Sequence, residues 1–163
     1  FIRGVMYVTD MARTTGHTAS VTGVCWNPLE RDMVLTCSTD GSARLWNLNG
    51  KTQFHKLVCD KVYRAKNERG QRTGVTSAVY HPSGREFALG TACGSIQIWS
   101  TARVGGRPER VVYDKMGPIT SLVYNFDGSI LAARSSDSSI VKVWNAKKIK
   151  PSSKPICRFV RLM

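Results

Sequence analysis

Three side chains in the first third of the sequence, His17, Ser38 and Asp40, carry the functional groups of a hydrolytic triad. A serine hydroxyl, an imidazole base and a carboxylate do nucleophilic chemistry when a fold sets them in that order. The residues around Ser38 contain neither a nucleophile elbow nor a glycine-rich loop to supply oxyanion donors. The three are therefore read as structural, no catalytic residue is assigned, and the chain is not expected to be an enzyme. The five cysteines are odd in number and form no CxxC pair, so neither a disulfide framework nor a zinc site is expected. Cys25 and Cys37 lie in apolar runs, where a free thiol behaves as a small buried hydrophobe, which suits a reducing compartment. His55 and His81 stand alone, and no P-loop, GxGxxG or metal-binding His pair occurs. No metal, cofactor or small-molecule substrate is expected.

The elements that would hold these residues come from an internal repeat. Val21–Pro28 followed by Met33–Asn47 aligns with Val75–Pro82 followed by Phe87–Ser100, and both align with Ile119–Phe126 followed by Ile130–Asn145. The aromatics Trp26, Tyr80 and Tyr124 are 54 and 44 residues apart, and the tryptophans Trp46, Trp99 and Trp144 are 53 and 45 apart. Each unit has three short β-rich runs with Asn-Pro, Pro-Ser-Gly or Asp-Gly at the joints, as antiparallel hairpins require. A fourth, more polar run follows each tryptophan, near Lys61–Arg64, Arg110–Tyr113 and Ile156–Val160. The fold class is all-β, in three four-stranded antiparallel units. The inner-strand aromatics Trp26, Tyr80 and Tyr124 are assigned to core filling between units rather than to base stacking.

The chain has 24 Lys+Arg against 11 Asp+Glu, a net charge of +13. That imbalance suits an acidic partner, either protein or nucleic acid, and says nothing of fold. The basic residues gather in three groups: Lys61 to Arg72, Arg103 to Arg110, and Lys142 to Arg161. Phosphate contact with RNA or DNA by this route would be nonspecific and salt-sensitive. No apolar run approaches the ~20 residues that cross a bilayer, so no membrane partner is expected.

The repeat period, the closing tryptophans and Gly16-His17 before the inner strand resemble the WD-repeat β-propeller. The resemblance implies blades over residues 15–66, 67–114 and 115–163, with 1–14 supplying the outer strand and connector of a preceding blade, Gly4 to Thr9 in particular. It also implies a larger ring, of about seven blades at ~40–45 residues each, from which these three are cut. In this family His17, Ser38, Asp40 and Trp46 would form a buried hydrogen-bond chain, satisfying groups that cost ~1–3 kcal/mol each to bury unpaired. Blade two has Gln71 and Cys93 at the His and Asp positions. Blade three has Lys115 and Asp137, with one extra residue before Trp144 that reads as a bulge near Ile140 and Val141. Only blade one holds the full set, so hydrogen exchange is expected to be slowest there. Thr39, Ala92 and Ser136, beside the turn Asp positions, are candidate partner contacts near the central channel. Lys147, Lys148 and Lys150 are candidates on the opposite, connector face.

Three further stretches, Tyr7–Thr18, Gly94–Trp99 and Asp127–Arg134, with the Lys/Pro-rich tail after Trp144, resemble the gastrulation-defective family of WD-repeat proteins. The resemblance implies a nuclear, non-catalytic scaffold in a multi-subunit complex, either a substrate receptor for a cullin-4-type ubiquitin ligase in genome maintenance or a structural subunit of a spliceosomal or other RNA-protein assembly. Ligase receptors of this kind carry Trp-Asp-x-Arg at the end of the third strand. Here the places are held by Trp46-Asn47-Leu48-Asn49, by Trp99-Ser100-Thr101-Ala102 with Arg103 one residue late, and by Trp144-Asn145-Ala146-Lys147. A lysine supplies charge there without arginine's bidentate fork.

Overall fold

A computed structural model describes residues 16–49, 58–103, 106–114 and 117–160. The expected strand at Gly4–Thr9, His55 and Lys115 lie outside the described residues. Among the described residues twelve strands form three antiparallel sheets, each ordered as in sequence. Blade one is β1 (Val21–Trp26), β2 (Met33–Ser38), β3 (Ser42–Asn47) and β4 (Val58–Arg64). Blade two is β5 (Val75–Tyr80), β6 (Glu86–Thr91), β7 (Ser95–Ser100) and β8 (Arg110–Tyr113). Blade three is β9 (Ile119–Tyr124), β10 (Ile130–Ser135), β11 (Ile140–Asn145) and β12 (Cys157–Val160). A 3-10 turn follows β11 at Ala146–Lys148. No helix among the described residues is long and apolar enough to cross a membrane.

The turn chemistry fixes the hairpins. Gly41 and Gly94 close the three-residue loops after β2 and β6 with φ of 80° and 82°, the left-handed position such loops need. Blade three has Ser138 in that place, and its β10–β11 loop runs four residues, 136–139. The extra residue before Trp144 therefore sits in this turn. The bulge expected near Ile140 and Val141 is absent, since β10 and β11 pair without a shift from Ile130↔Asn145 to Arg134↔Val141. In a three-residue loop this serine would take the left-handed position, where its Cβ is penalised.

Bulges fall instead near the start of each inner strand, and once on β4, where Asp60 is unpaired opposite Leu45 and Trp46. The register slips between Val21 and Gly23, between Val75 and Ser77, and between the partners of Ser121 and Ile119. The unpaired residue in all three is a threonine: Thr22, Thr76 and Thr120. A bulge re-aims a side chain, and two of these hydroxyls reach the next blade. Thr22 donates to the Val75 carbonyl at 2.7 Å and Thr76 to the Ile119 carbonyl at 2.6 Å.

The inner strands lie side by side, β1 against β5 and β5 against β9, and the core occupies the two seams. Leu35, Cys37, Leu45 and Tyr63 of blade one meet Tyr80, Phe87, Leu89 and Trp99 of blade two. Ile96, Ile98 and Val112 of blade two meet Leu122, Tyr124, Leu131 and Trp144 of blade three. In this arrangement each inner-strand aromatic faces the preceding blade. Tyr80 and Tyr124 are buried, but Trp26 is 59% exposed, with Val24 at 68% beside it. The core role expected of Trp26 is therefore not realised, because no described blade precedes it.

Candidate functional site

His17 lies in the connector ahead of β1 and Asp40 in the β2–β3 turn, and the fold brings them together. The His17 Nδ1 is 2.9 Å from an Asp40 carboxylate oxygen, and its Nε2 is 2.7 Å from the Thr36 hydroxyl. The Thr36 oxygen also accepts the Trp46 indole N–H at 2.8 Å. With Nδ1–H given to Asp40, Nε2 accepts from Thr36, and the relay runs Trp46, Thr36, His17, Asp40. Ser38 is not in it. Its hydroxyl donates to the Ala19 carbonyl at 3.1 Å and accepts the Asp40 N–H at 3.0 Å, which shapes the turn. Ser42 completes the cluster by donating its hydroxyl to Asp40 at 2.6 Å and its N–H at 2.8 Å. Burial opposes ionisation of Asp40, but the hydrogen bonds from Ser42, His17 and the Thr18 N–H outweigh it and hold the carboxyl well below the usual range.

A carboxylate, an imidazole and a hydroxyl are thus in line, but the hydroxyl is that of Thr36 in the middle of a strand. Its oxygen is engaged by the Trp46 N–H, and Trp46 is itself buried. The arrangement locks the β2–β3 hairpin to the connector before β1. Thr36 was not singled out in the sequence because threonine is ordinary in a strand. The available signal is register: Val34 pairs with Trp46 and Thr36 with Arg44, so Thr36 and Trp46 share a face as diagonal neighbours.

The other blades lack this relay. At the place of Thr36, blade two has Leu89 and blade three Ala133, and the indole N–H groups of Trp99 and Trp144 are buried without a partner. The turn of blade two instead gathers Thr91, Cys93 and Ser95, whose side-chain atoms lie 2.8–3.6 Å apart. Burial raises the Cys93 thiol, but hydrogen bonds from Thr91, Ser95 and Thr73 lower it further, leaving an exposed cysteine below its ordinary value. Burial and the neighbouring Cys37 push Cys25 the other way, up to about 12. Gln71 is exposed and bonds Asn67 rather than reaching the Cys93 turn. His81 is half-buried in its turn, edge-on to Tyr124 at 5.0 Å and bonded to Ser83.

The candidate contact residues fall at opposite ends of the blades. Thr39, Ala92 and Ser136 are exposed at the tips of the β2–β3, β6–β7 and β10–β11 turns. Lys147 and Lys148 are exposed at the far end of β11, where the Asn145 side chain accepts both of their N–H groups. Lys150 is exposed two residues on, its N–H bonded to Ser153. Arg103 is exposed and pairs with Glu109 at 3.1 Å.

Three stacked four-stranded blades, a Gly-His connector tied to a turn aspartate and a tryptophan ending each third strand define a stretch of β-propeller. The chain belongs to the WD domain, G-beta repeat family, which matches residues 9–47, 63–100 and 106–145. It is 34% identical over 91% of its length to the gastrulation defective protein 1 homolog of Drosophila melanogaster, and covers 22% of that protein. It is 34% identical over 91% of its length to WD repeat-containing protein 70 of Xenopus tropicalis, covering 23% of it. The chain thus spans about a quarter or less of these relatives. Among solved structures, the C-terminal WD40 domain of Sif2 superposes with a TM-score of 0.67 at 20% identity, over 86% of this chain and 37% of that one, a likeness of fold alone. A WD-repeat propeller is generally a non-catalytic platform for protein–protein interaction.

Proposed function

We propose that the chain is part of a nuclear scaffold that assembles other proteins into a multi-subunit complex without catalysing a reaction. The observation that carries this reading is the rigid presentation of exposed turns. Thr39 stands at the tip of a hairpin clamped from below by Asp40, His17, Thr36 and Trp46. Loops held on a stiff frame are what binding surfaces are made from. The assignment to a cullin-4-type ligase as substrate receptor rests on the resemblance to the gastrulation-defective family. It is supported by Lys147, which stands exposed where the receptor motif has arginine. A structural role in an RNA-protein assembly is the second reading, favoured by the net charge of +13. Capture of partners from nuclear extract, with and without nuclease, separates them. Proteins that persist after nuclease support the protein scaffold, and a set that disappears supports the RNA-protein assembly. Capture of no partner in either condition refutes both.

A further inference from the structure

Two of the basic groups, separate in sequence, meet across one cleft on the outer rim. The cleft has a volume of about 460 Å³ and lies between the connector leaving β4 and the loop entering β8. Arg64 and Lys66 form one wall and Arg107 the other, and all three are exposed. Among the described residues no carboxylate lies within ion-pair reach of any of them, whereas nearby Arg103, Arg110 and Lys142 each have one. Glu68 is the one acid lining the cleft. Beneath it lies Gln97, 1% exposed, whose amide donates to the Lys66 carbonyl at 2.7 Å and so fixes the wall. The bridge between Lys66 and Arg72 holds the same connector from its other side.

We propose that this rim cleft is a docking site for an acidic peptide segment, a short run of aspartate and glutamate on a protein partner. Three cations on a pinned frame, none of them ion-paired although Glu68 lines the same cleft, offer carboxylates charge-assisted hydrogen bonds whose ordering cost is largely met by the fold. Arg64 and Arg107 can each take a carboxylate with a two-pronged fork, and Lys66 adds a point charge. Nucleic acid fits less well. Single strands bind on exposed aromatic faces, and the one aromatic lining the cleft, Tyr113, is half-buried. The exposed rings of Trp26, Phe126 and Phe159 lie on the inner strand of blade one and in blade three, outside the lining of the cleft.

This inference rests on the scaffold reading and names the chemistry of one partner. The test measures fluorescence anisotropy of labelled decaglutamate, and of labelled dodecauridylate, with the full chain at low and near-physiological salt. A triple variant, Arg64→Ala, Lys66→Ala and Arg107→Ala, is compared with Arg31→Ala, Arg85→Ala and Arg134→Ala, which removes the same charge elsewhere. All six side chains are exposed, so both variants should fold, which circular dichroism checks. The rim variant should bind decaglutamate about tenfold more weakly and the control within about twofold of the parent. Equal losses in both variants would show attraction by net charge alone and overturn the proposal. So would failure of the parent to bind decaglutamate, or stronger binding of dodecauridylate that the rim variant loses. The two readings fail separately. If extract partners persist on the rim variant the cleft fails alone, and if the parent captures none the scaffold fails whatever the peptide result.

Discussion

The Thr36 hydroxyl serves two buried partners at once, accepting from Trp46 and donating to His17. Thr36→Val keeps the shape and the branching while stranding both partners. It should destabilise the chain by about 1–3 kcal/mol in urea unfolding, the cost of leaving buried polar groups unpaired. An effect below about 0.5 kcal/mol would put the relay outside the stability of the fold. Asp40 at the other end of the relay makes a pH prediction. Its folded pKa is depressed, so as pH falls the unfolded chain takes up the proton first. The stability it contributes is complete above the ordinary carboxylate value near ~3.9 and drains away below it. Asp40→Asn should therefore be less stable than the parent at neutral pH, and the gap should close in strong acid. A gap that stays constant across that range would contradict the assignment. The relay was partly legible in the sequence: His17, Asp40 and Trp46 stand at repeat positions, but Thr36 shows its role only once pairing sets it on the face of Trp46.

Strand by strand, the blades could be read from the repeat and from β-rich runs with turn pairs at their joints, because hairpins and their loops are local. The joints between blades could not, because they depend on which sheet lies next. Trp26, Tyr80 and Tyr124 are equivalent in sequence, yet Trp26 is exposed and the other two are buried. The bulged threonines show the same dependence and supply their own control. Thr22 and Thr76 each donate to the carbonyl of the next inner strand. Thr120, in the same bulge, bonds only within its own blade, to the Arg134 carbonyl at 3.3 Å. Thr22→Val and Thr76→Val should each cost about 1 kcal/mol, the net worth of one hydrogen bond. Thr120→Val should change stability by no more than about 0.5 kcal/mol. Equal costs at all three sites in chemical denaturation would mean that the threonines act inside their own blades and do not fasten one blade to the next.

Across the whole chain, polar networking and apolar burial point to different blades as the most stable, and their magnitudes decide. Blade one has the relay, a few hydrogen bonds worth about 1 kcal/mol net each, which is why the sequence favours it for the slowest exchange. Among the described residues nothing covers Val24 and Trp26 on its inner strand. Blade two has no relay and is covered on both faces: Phe87, Leu89 and Trp99 pack toward blade one, and Ile96, Ile98 and Val112 toward blade three. Full burial of one such side chain stabilises by about 1.5–3 kcal/mol, and β6 and β7 are buried along nearly their whole length. Among the described residues, opening blade two uncovers two seams, whereas opening blade one or blade three uncovers one of them. Native-state hydrogen exchange should therefore be slowest at the amides of β6 and β7, faster in β2 and β3, and faster also in β10 and β11. Exchange slower in β2 and β3 than in β6 and β7 would show that the relay outweighs the second seam. Thr36→Val separates the contributions further: it should speed exchange in β2 and β3 and leave β6 and β7 the slowest, since their protection comes from side chains the relay does not touch.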